Sequence, residues 1–427
     1  MKKNRNESGV KKSGFSVRRA FNKLNNKYED ILKKSDPIFL EPIHKDEEKE
    51  PEKLLVRGGI DIYFLLIVVA ITIIGAVMAY SASSYTGEYY YGSSLYYLKR
   101  HLMFLGIGVM FGVAFVVYGR PWVWKMVAIG SYAGSVVLLI VVLLVGRSGN
   151  GAQRWIQIGP LTIQPSEIAK MATVLLLALV MAKNEKKINL SQRHGGSFKY
   201  GVLYPGLIIG TIGVLVILEK HLSGLIIIGL LGLTIMFLGG TDKRWLGLIC
   251  GAGVSVVGLA LIFLPYARDR ITTWIKISEA DPSGSAYQTL QGMYAIGSGG
   301  IFGVGLGNSQ QKYGYIPEPQ NDFIFTIVCE ELGFIGAALV IGLFVLLLWR
   351  GFVIGSKAPD KFCSLVVYGL TTKVALQTAL NIAVVTNSIP NTGISLPFFS
   401  SGGTALIFQI FEMAIILNIS RFSNIKK

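Results

Sequence analysis

Metal-binding and cross-linking chemistry is nearly absent from this sequence. Three cysteines (Cys250, Cys329, Cys363) and four histidines (His44, His101, His194, His221) are scattered over 427 residues, with no Cys-x-x-Cys pair and no Cys–His grouping. That spacing excludes a zinc module and a disulfide framework, and the cysteines, all in or beside apolar runs, read as small packing residues. Charge is scarce too: 15% of residues are charged against 52% hydrophobic, a poor match to a soluble globular chain. Extended alternation of apolar and polar residues is missing, which excludes a transmembrane barrel. The glycines at 297, 299, 300, 303, 305 and 307 follow no strand, so they are not a dinucleotide fingerprint and suit tight turns or close backbone approach.

What the sequence has in quantity is apolar runs of roughly 17 to 25 residues, each long enough to cross a bilayer as a helix. Backbone polar groups find no water in lipid, so a helical bundle follows. Ten spans are expected, at about 60–80, 100–118, 124–146, 167–183, 201–218, 222–239, 245–264, 322–349, 362–386 and 403–420. The fold class is an all-α polytopic membrane protein, with a long extracytoplasmic loop at 265–321 between helices 7 and 8. A polar tail of roughly sixty residues precedes the first run, which argues against a cleavable signal peptide.

The net charge of +16 raises the question of nucleic acid, and the placement of the charges answers it. With a cytoplasmic amino terminus, about 30 of the 41 Lys and Arg fall in cytoplasmic segments, about nine outside, and Lys170 and Lys373 within spans. This is the positive-inside asymmetry, not a nucleic-acid footprint. It implies a multi-pass protein with both termini cytoplasmic and the 147–166, 265–321 and 387–402 loops outside. Residues 1–58, with 15 basic and 10 acidic residues, read as a disordered tail near anionic headgroups. Residues 59–421 form the membrane domain, and 422–427 are a short cytoplasmic end.

Two outer segments carry more than connectors need. In RSGNGAQRWIQIGPLTIQPSEIAK, read as a loop running into a helix, Pro165 to Glu167 are an ordinary helix start. Arg154 beside Trp155 suits an anionic headgroup, a sugar face stacked on indole, or an interfacial anchor. In the 265–321 segment, Arg268, Arg270, Lys276 and Lys312 supply positive charge, and the spacing near 287–296 fits a short interfacial helix. Ionisable groups within spans require partners. Glu167 and Lys170, three apart, can pair locally or serve a ligand. Lys373 is expected to pair with Glu330 or Glu331. Asp322 begins a span, where it either caps the helix or carries chemistry at the water interface.

The stretches NGAQRWIQIGPLTIQPSEIAK, AYQTLQGMYAIGSGGIFGVGLGNSQQKYGYIPEPQNDFIFTIVCEELG and IPNTGISLPFFSSGG strongly resemble the SEDS (shape, elongation, division and sporulation) family, which includes FtsW, RodA and SpoVE. The resemblance spans about residues 60–420. It implies a ten-helix peptidoglycan glycosyltransferase that polymerises lipid II on the outer face of the bacterial cytoplasmic membrane. The implied partners are a class B penicillin-binding protein and other divisome or elongasome membrane proteins. By the same resemblance Asp322 is the catalytic residue, and Arg154, Trp155, Glu167, Lys170, Arg270, Gln288, Lys312, Pro397 and Ser400 are its candidate substrate-binding companions.

Chemically, joining a sugar hydroxyl to an anomeric carbon that carries a lipid pyrophosphate needs a base and nearby cations. Asp322 supplies either that base or a ligand for a divalent cation, Mg or Mn; no organic cofactor is expected. The rival functions are a lipid II flippase and a noncatalytic scaffold of a cell-wall complex. The chain departs from the family pattern at LEKHLSG (218–224), where Q-P-D-x-G-T is common, and at Asn391 and Ser401.

Overall fold

A computed structural model describes residues 58–422, apart from 150–151, 159–160, 192–197, 264–267, 269–270, 273, 276, 278–284 and 402. The tail, Arg270, Lys276 and the carboxyl-terminal five residues therefore lie outside the described residues. The spanning elements are α1 (Ile62–Tyr91), α2 (Tyr96–Tyr118), α3 (Pro121–Val145), α4 (Pro165–Lys183), and, after the short α5 (Glu185–Ser191), α6 (Tyr204–Leu218), α7 (Leu222–Leu238) and α8 (Lys243–Phe263). There follow α9 (Ser285–Gly299), α10 (Ile324–Ser356), α11 (Lys361–Val385) and α12 (Gly403–Ser420). Among the described residues eight spans are long and apolar enough to cross a membrane, α6 counting together with the π-helical turn Lys199–Leu203 that leads into it, and α7, with 17 residues, and α8, with 21, stand where the other two expected spans lie. The chain is an all-α polytopic membrane protein.

α4, α11 and α12 form the centre, with 72%, 61% and 78% of their apolar windows buried against 22% for α2 and α3. Small residues let helices approach: a Cβ at Gly108 would stand 3.2 Å from Ile407 Cα, and one at Gly112 would stand 3.1 Å from Ala414 Cβ. In lipid such close packing takes over the role that apolar burial has in water. At the end of α2, Asn418 Nδ2 donates to the carbonyls of Phe115 and Val116, satisfying acceptors that the helix leaves open.

One end of the bundle, the site end, gathers three features. The first is an antiparallel sheet of β1 (Arg147–Gly149), β2 (Ala152–Ile158) and β3 (Leu161–Ile163), in the order β1-β2-β3. The sequence reading made this segment a loop; pairing of Arg147 with Trp155 and of Gln157 with Thr162 makes it a rigid mount. The second is α9, which buries Ala286, Thr289 and Ala295. A Cβ at Gly292 would lie 3.0 Å from the Phe323 ring, and one at Gly299 would lie 2.0 Å from Cys329 O. The expected interfacial helix is therefore packed on α10, because its glycines let the two backbones touch. The third is the 386–401 loop.

α10 is interrupted at Gly333, whose backbone (φ 66°, ψ −167°) only glycine adopts readily. The break frees backbone groups, and the segment after α9 takes them up. Val304 and Gly305 N–H donate to the carbonyls of Glu330 and Glu331 at 3.0 Å each, and Phe334 N–H donates to Gly300 O at 2.9 Å. Irregular backbone at membrane depth is tolerated only when protein satisfies it in this way.

Candidate active site

A cavity of about 420 Å³ opens at the site end. Its walls come from the sheet (Arg154, Trp155), from α9 (Gln288), from the segment before α10 (Glu318, Asn321, Asp322) and from the last loop (Asn391, Gly393, Ser400). Two threads tie these pieces together. Asn381 Nδ2 on α11 donates to Asp322 O and to Ile394 O, both at 2.7 Å. Ser400 Oγ donates to Asn321 O at 2.7 Å, and Ser401 Oγ donates to Asn321 Oδ1 at 2.9 Å. Side chain to backbone bonds of this kind fix a loop as firmly as its own ladder would.

Asp322 does not cap α10. The N-cap is Phe323, and no side chain caps the helix start. The carboxylate instead lines the cavity beside Gly393, where an added Cβ would stand 3.5 Å from Oδ2. Burial pushes its pKa up, its own main-chain N–H opposes the rise, and Glu318 adds to it. A carboxylate raised in this way holds a transferred proton better than one in water.

Arg154 and Trp155 are both half-buried in the wall. Arg154 Nη2 donates to Lys220 O in the turn between α6 and α7, which lies in the segment that departs from the family pattern. Glu219 and His221 in that turn are buried, at 1% and 7% exposure. Among the described residues neither carboxylate oxygen of Glu219 has a hydrogen-bond partner, nor does Nδ1 of His221 or Nε of Arg154. Burial pushes the Glu219 pKa up to about 8, with Arg154 pulling against it. Burial lowers that of His221 to about 3, helped by Lys170 and Arg154. Ser223 Oγ donates to Thr392 O, joining this turn to the last loop.

The structure brings Asp322, Arg154, Trp155, Gln288 and Ser400 to one cavity; Gln288 Nε2 also donates to Pro317 O at 3.1 Å. It places four other candidates elsewhere. Lys312, 2% exposed, pairs with Glu331 at 3.0 Å and donates to Gly307 O at 2.5 Å, so its charge is spent on tying its own loop to α10. Pro397, in the last loop, is buried and does not line the cavity. Glu167 and Lys170 pair with each other at 2.5 Å inside the bundle.

Lys373 is paired inside the bundle as expected, but not with Glu330 or Glu331. Its Nζ lies 2.5 Å from Glu412 and 3.9 Å from Glu167. The reason is direction. Glu330 accepts from Ser309 Oγ at 2.5 Å and from Gln310 N–H at 2.9 Å, whereas Glu331 accepts from Ser81 Oγ at 2.6 Å. Both therefore face the re-entrant loop and α1, away from α11. Glu412 was missed by sequence reasoning, although an acid inside the last apolar span was signal enough.

Asp322 and Glu318 are the acids of the cavity wall, and among the described residues no group of three or more His, Cys, Asp or Glu could hold a metal ion.

Known proteins place this arrangement. Residues 61–425 match the cell cycle protein family named for FtsW, RodA and SpoVE. The chain is 40% identical over 368 residues to stage V sporulation protein E of Bacillus subtilis, covering 85% of this chain and 97% of that one. It is 33% identical over 365 residues to the probable peptidoglycan glycosyltransferase FtsW of Geobacter sulfurreducens, covering 84% and 95%. Among solved structures it resembles a chain of a peptidoglycan synthase complex that coordinates polymerization and crosslinking, with TM-score 0.70, 26% identity, and 85% and 98% coverage. It also resembles the rod shape determining protein RodA of Thermus thermophilus, with TM-score 0.62, 25% identity, and 86% and 98% coverage. Matched over nearly its whole membrane region, the chain belongs to the FtsW/RodA/SpoVE family of cell cycle proteins.

Proposed function

We propose that this peptidoglycan glycosyltransferase polymerises lipid II in cell division or cell-shape maintenance, with Asp322 as its general base. The observation that carries the proposal is the free-facing Asp322 carboxylate in a cavity walled by an arginine and an indole. In the reaction an acceptor sugar hydroxyl attacks the anomeric carbon of a lipid-linked donor. The new glycosidic C–O bond forms as the bond to the lipid pyrophosphate breaks. Asp322 takes the hydroxyl proton, Arg154 faces the departing pyrophosphate, and Trp155 offers a stacking face to a sugar.

The positive-inside count supports cytoplasmic termini and a site end outside the cytoplasmic membrane of a bacterium. A class B penicillin-binding protein fits as partner, since the synthase complex to which the chain is similar couples polymerization with crosslinking. For a flippase, the ionisable groups in mid-bundle would line a passage. Here Glu167, Lys170, Lys373 and Glu412 are paired among themselves, which favours bracing.

The deciding experiment incubates purified protein, with and without a class B penicillin-binding protein, with labelled lipid II. Asp322→Asn keeps size and removes the charge. Wild type is expected to form polymer and the variant at least 100-fold less, on the order expected for a lost general base. A variant that polymerises at near the wild-type rate overturns the assignment.

A further inference from the structure

The tip of the α1–α2 hairpin carries a surface that the reaction above does not use. Six tyrosines stand in thirteen residues, YTGEYYYGSSLYY, from Tyr85 to Tyr97. Gly92, at φ 65°, ends α1 and donates to the carbonyls of Glu88 and Gly87, so the chain turns back sharply. The turn lays Tyr91 flat on Tyr96, with ring centroids 3.8 Å apart and planes within 4°. Tyr85 stacks toward Tyr89 at 6.0 Å and meets Tyr313, from the segment before α10, edge to face at 5.1 Å. The result is a hairpin tip with two packed ring groups, Tyr85, Tyr89 and Tyr90 with Tyr313, and Tyr91 with Tyr96 and Tyr97, rather than single anchors around a helix. It is open: Tyr89, Tyr90 and Tyr91 are 70%, 71% and 52% exposed, and Tyr313 is 53% exposed.

Two features set the patch beside the cavity. Tyr97 lies within electrostatic reach of Glu318, a cavity-wall residue. One turn on, Arg100 Nη2 donates to Thr162 Oγ1 at 3.1 Å, two residues from Gln164 in the same wall. The patch is also poor in charge. Glu88 is the one acidic or basic residue between Tyr85 and Tyr97, and its Oε2 accepts from Ser94 N–H at 2.8 Å. A surface built to hold lipid phosphate would carry Lys or Arg there. Between Tyr85 and Tyr97 the rings with hydroxyl edges carry no Lys or Arg, and Lys312, 5.8 Å over the Tyr313 ring, is already paired with Glu331. Such a surface matches a neutral sugar chain, whose C–H faces stack on aromatics while its hydroxyls and amides hydrogen-bond.

We propose that the tyrosines at the α1–α2 tip, with Tyr313, form a docking platform for the glycan strand as it leaves the cavity. This rests on the glycan-polymerase reading of the cavity and adds a second, product-binding surface to it. The probe is a preformed, β-1,4-linked N-acetylglucosamine hexamer, titrated into the full chain in nanodiscs and read by saturation-transfer NMR and by thermophoresis.

Wild type should bind the hexamer. The triple change Tyr89→Ala, Tyr90→Ala, Tyr91→Ala should weaken binding at least about tenfold, the sum expected of several lost aromatic contacts. The corresponding Phe triple keeps the ring faces and should stay within about threefold. With lipid II, the Ala triple should release shorter strands than wild type.

Absence of hexamer binding by wild type, or equal binding by the Ala triple, overturns the proposal. So does loss of transpeptidase capture by the Ala triple with glycan binding intact, which would make the patch a protein dock. Because the hexamer is preformed, binding does not depend on catalysis. A chain that binds it but leaves lipid II unpolymerised would refute the function assigned to the cavity while leaving the platform standing.

Discussion

Replacing Glu219 by Gln should change how the protein's stability depends on pH. The side chain is 1% exposed, its carboxylate oxygens lack hydrogen-bond partners among the described residues, and burial pushes its pKa from 4.5 up to about 8. The folded protein therefore holds this proton more tightly than the unfolded chain does. Stability from this group is full below pH 4.5, falls as pH rises through the window up to about 8, and is level beyond. At about 1.4 kcal/mol per pH unit, the loss at pH 7 is roughly 3 kcal/mol. His221 acts in the opposite sense: with its pKa lowered from 6.5 to about 3, it adds stability as pH rises toward 6.5. The two cancel between about pH 4.5 and 6.5, and Glu219 alone lowers stability from there to about 8. Gln keeps the shape and removes the titration. Thermal unfolding in nanodiscs from pH 5 to 8.5 should show wild type and variant converging at the acid end, with the variant more stable by about 3 kcal/mol at pH 7. Two parallel curves would refute the buried, protonated state.

Lys373→Met should destabilise the protein by roughly 3–5 kcal/mol, because it leaves Glu412 charged and unpaired in the bundle, and Glu412→Gln on that background should recover much of the loss. Denaturation of the four members of the cycle measures this, and strictly additive effects would remove the pair. Arg154→Ala and Trp155→Ala should leave the protein inserted but slow lipid II turnover by about tenfold or more each, as expected when a cation or stacking face is lost from a binding site; wild-type kinetics in both would take them out of it. Arg154→Lys should rescue only part of that loss, since a point charge replaces the planar donor fork.

The spans were legible because lipid allows few alternatives: a long apolar run must be a helix, and ten such runs specify a bundle without any knowledge of which helices touch. Adjacency was not legible. Lys373 demanded a carboxylate, yet hydropathy does not say that α11 faces α4 and α12, so Glu412 was passed over in favour of two glutamates on the wrong side. Lys312 failed for a related reason. A lysine in a long polar-looking loop reads as solvent-facing, and only the re-entry of that loop beneath the break at Gly333 buries it against Glu331. Asp322, Arg154 and Trp155 came together as the motifs implied. The residues that hold them there, Asn381 and the 219–223 turn, carry no local pattern that marks them, because their partners are backbone carbonyls distant in sequence.

The three carboxylates of NDFIFTIVCEELG can now be separated by what each one faces. Glu330 and Glu331 serve twice: their carbonyls, freed by the break at Gly333, accept Val304 and Gly305 N–H, and their side chains take Ser309, Gln310 and Lys312. Each bond made at that depth would cost several kcal/mol if left open in lipid, so the loop from 300 to 312 is held by necessity. That loop runs directly into the segment that carries Glu318 and ends at Asp322. Fixing its lower part from below, while Asn381 and Ser400 fix its upper part from the side, leaves the Asp322 carboxylate as the acid in NDFIFTIVCEELG that faces the cavity. A base must be held still to gain from its position. The two deeper glutamates supply that rigidity to the residue proposed as the base.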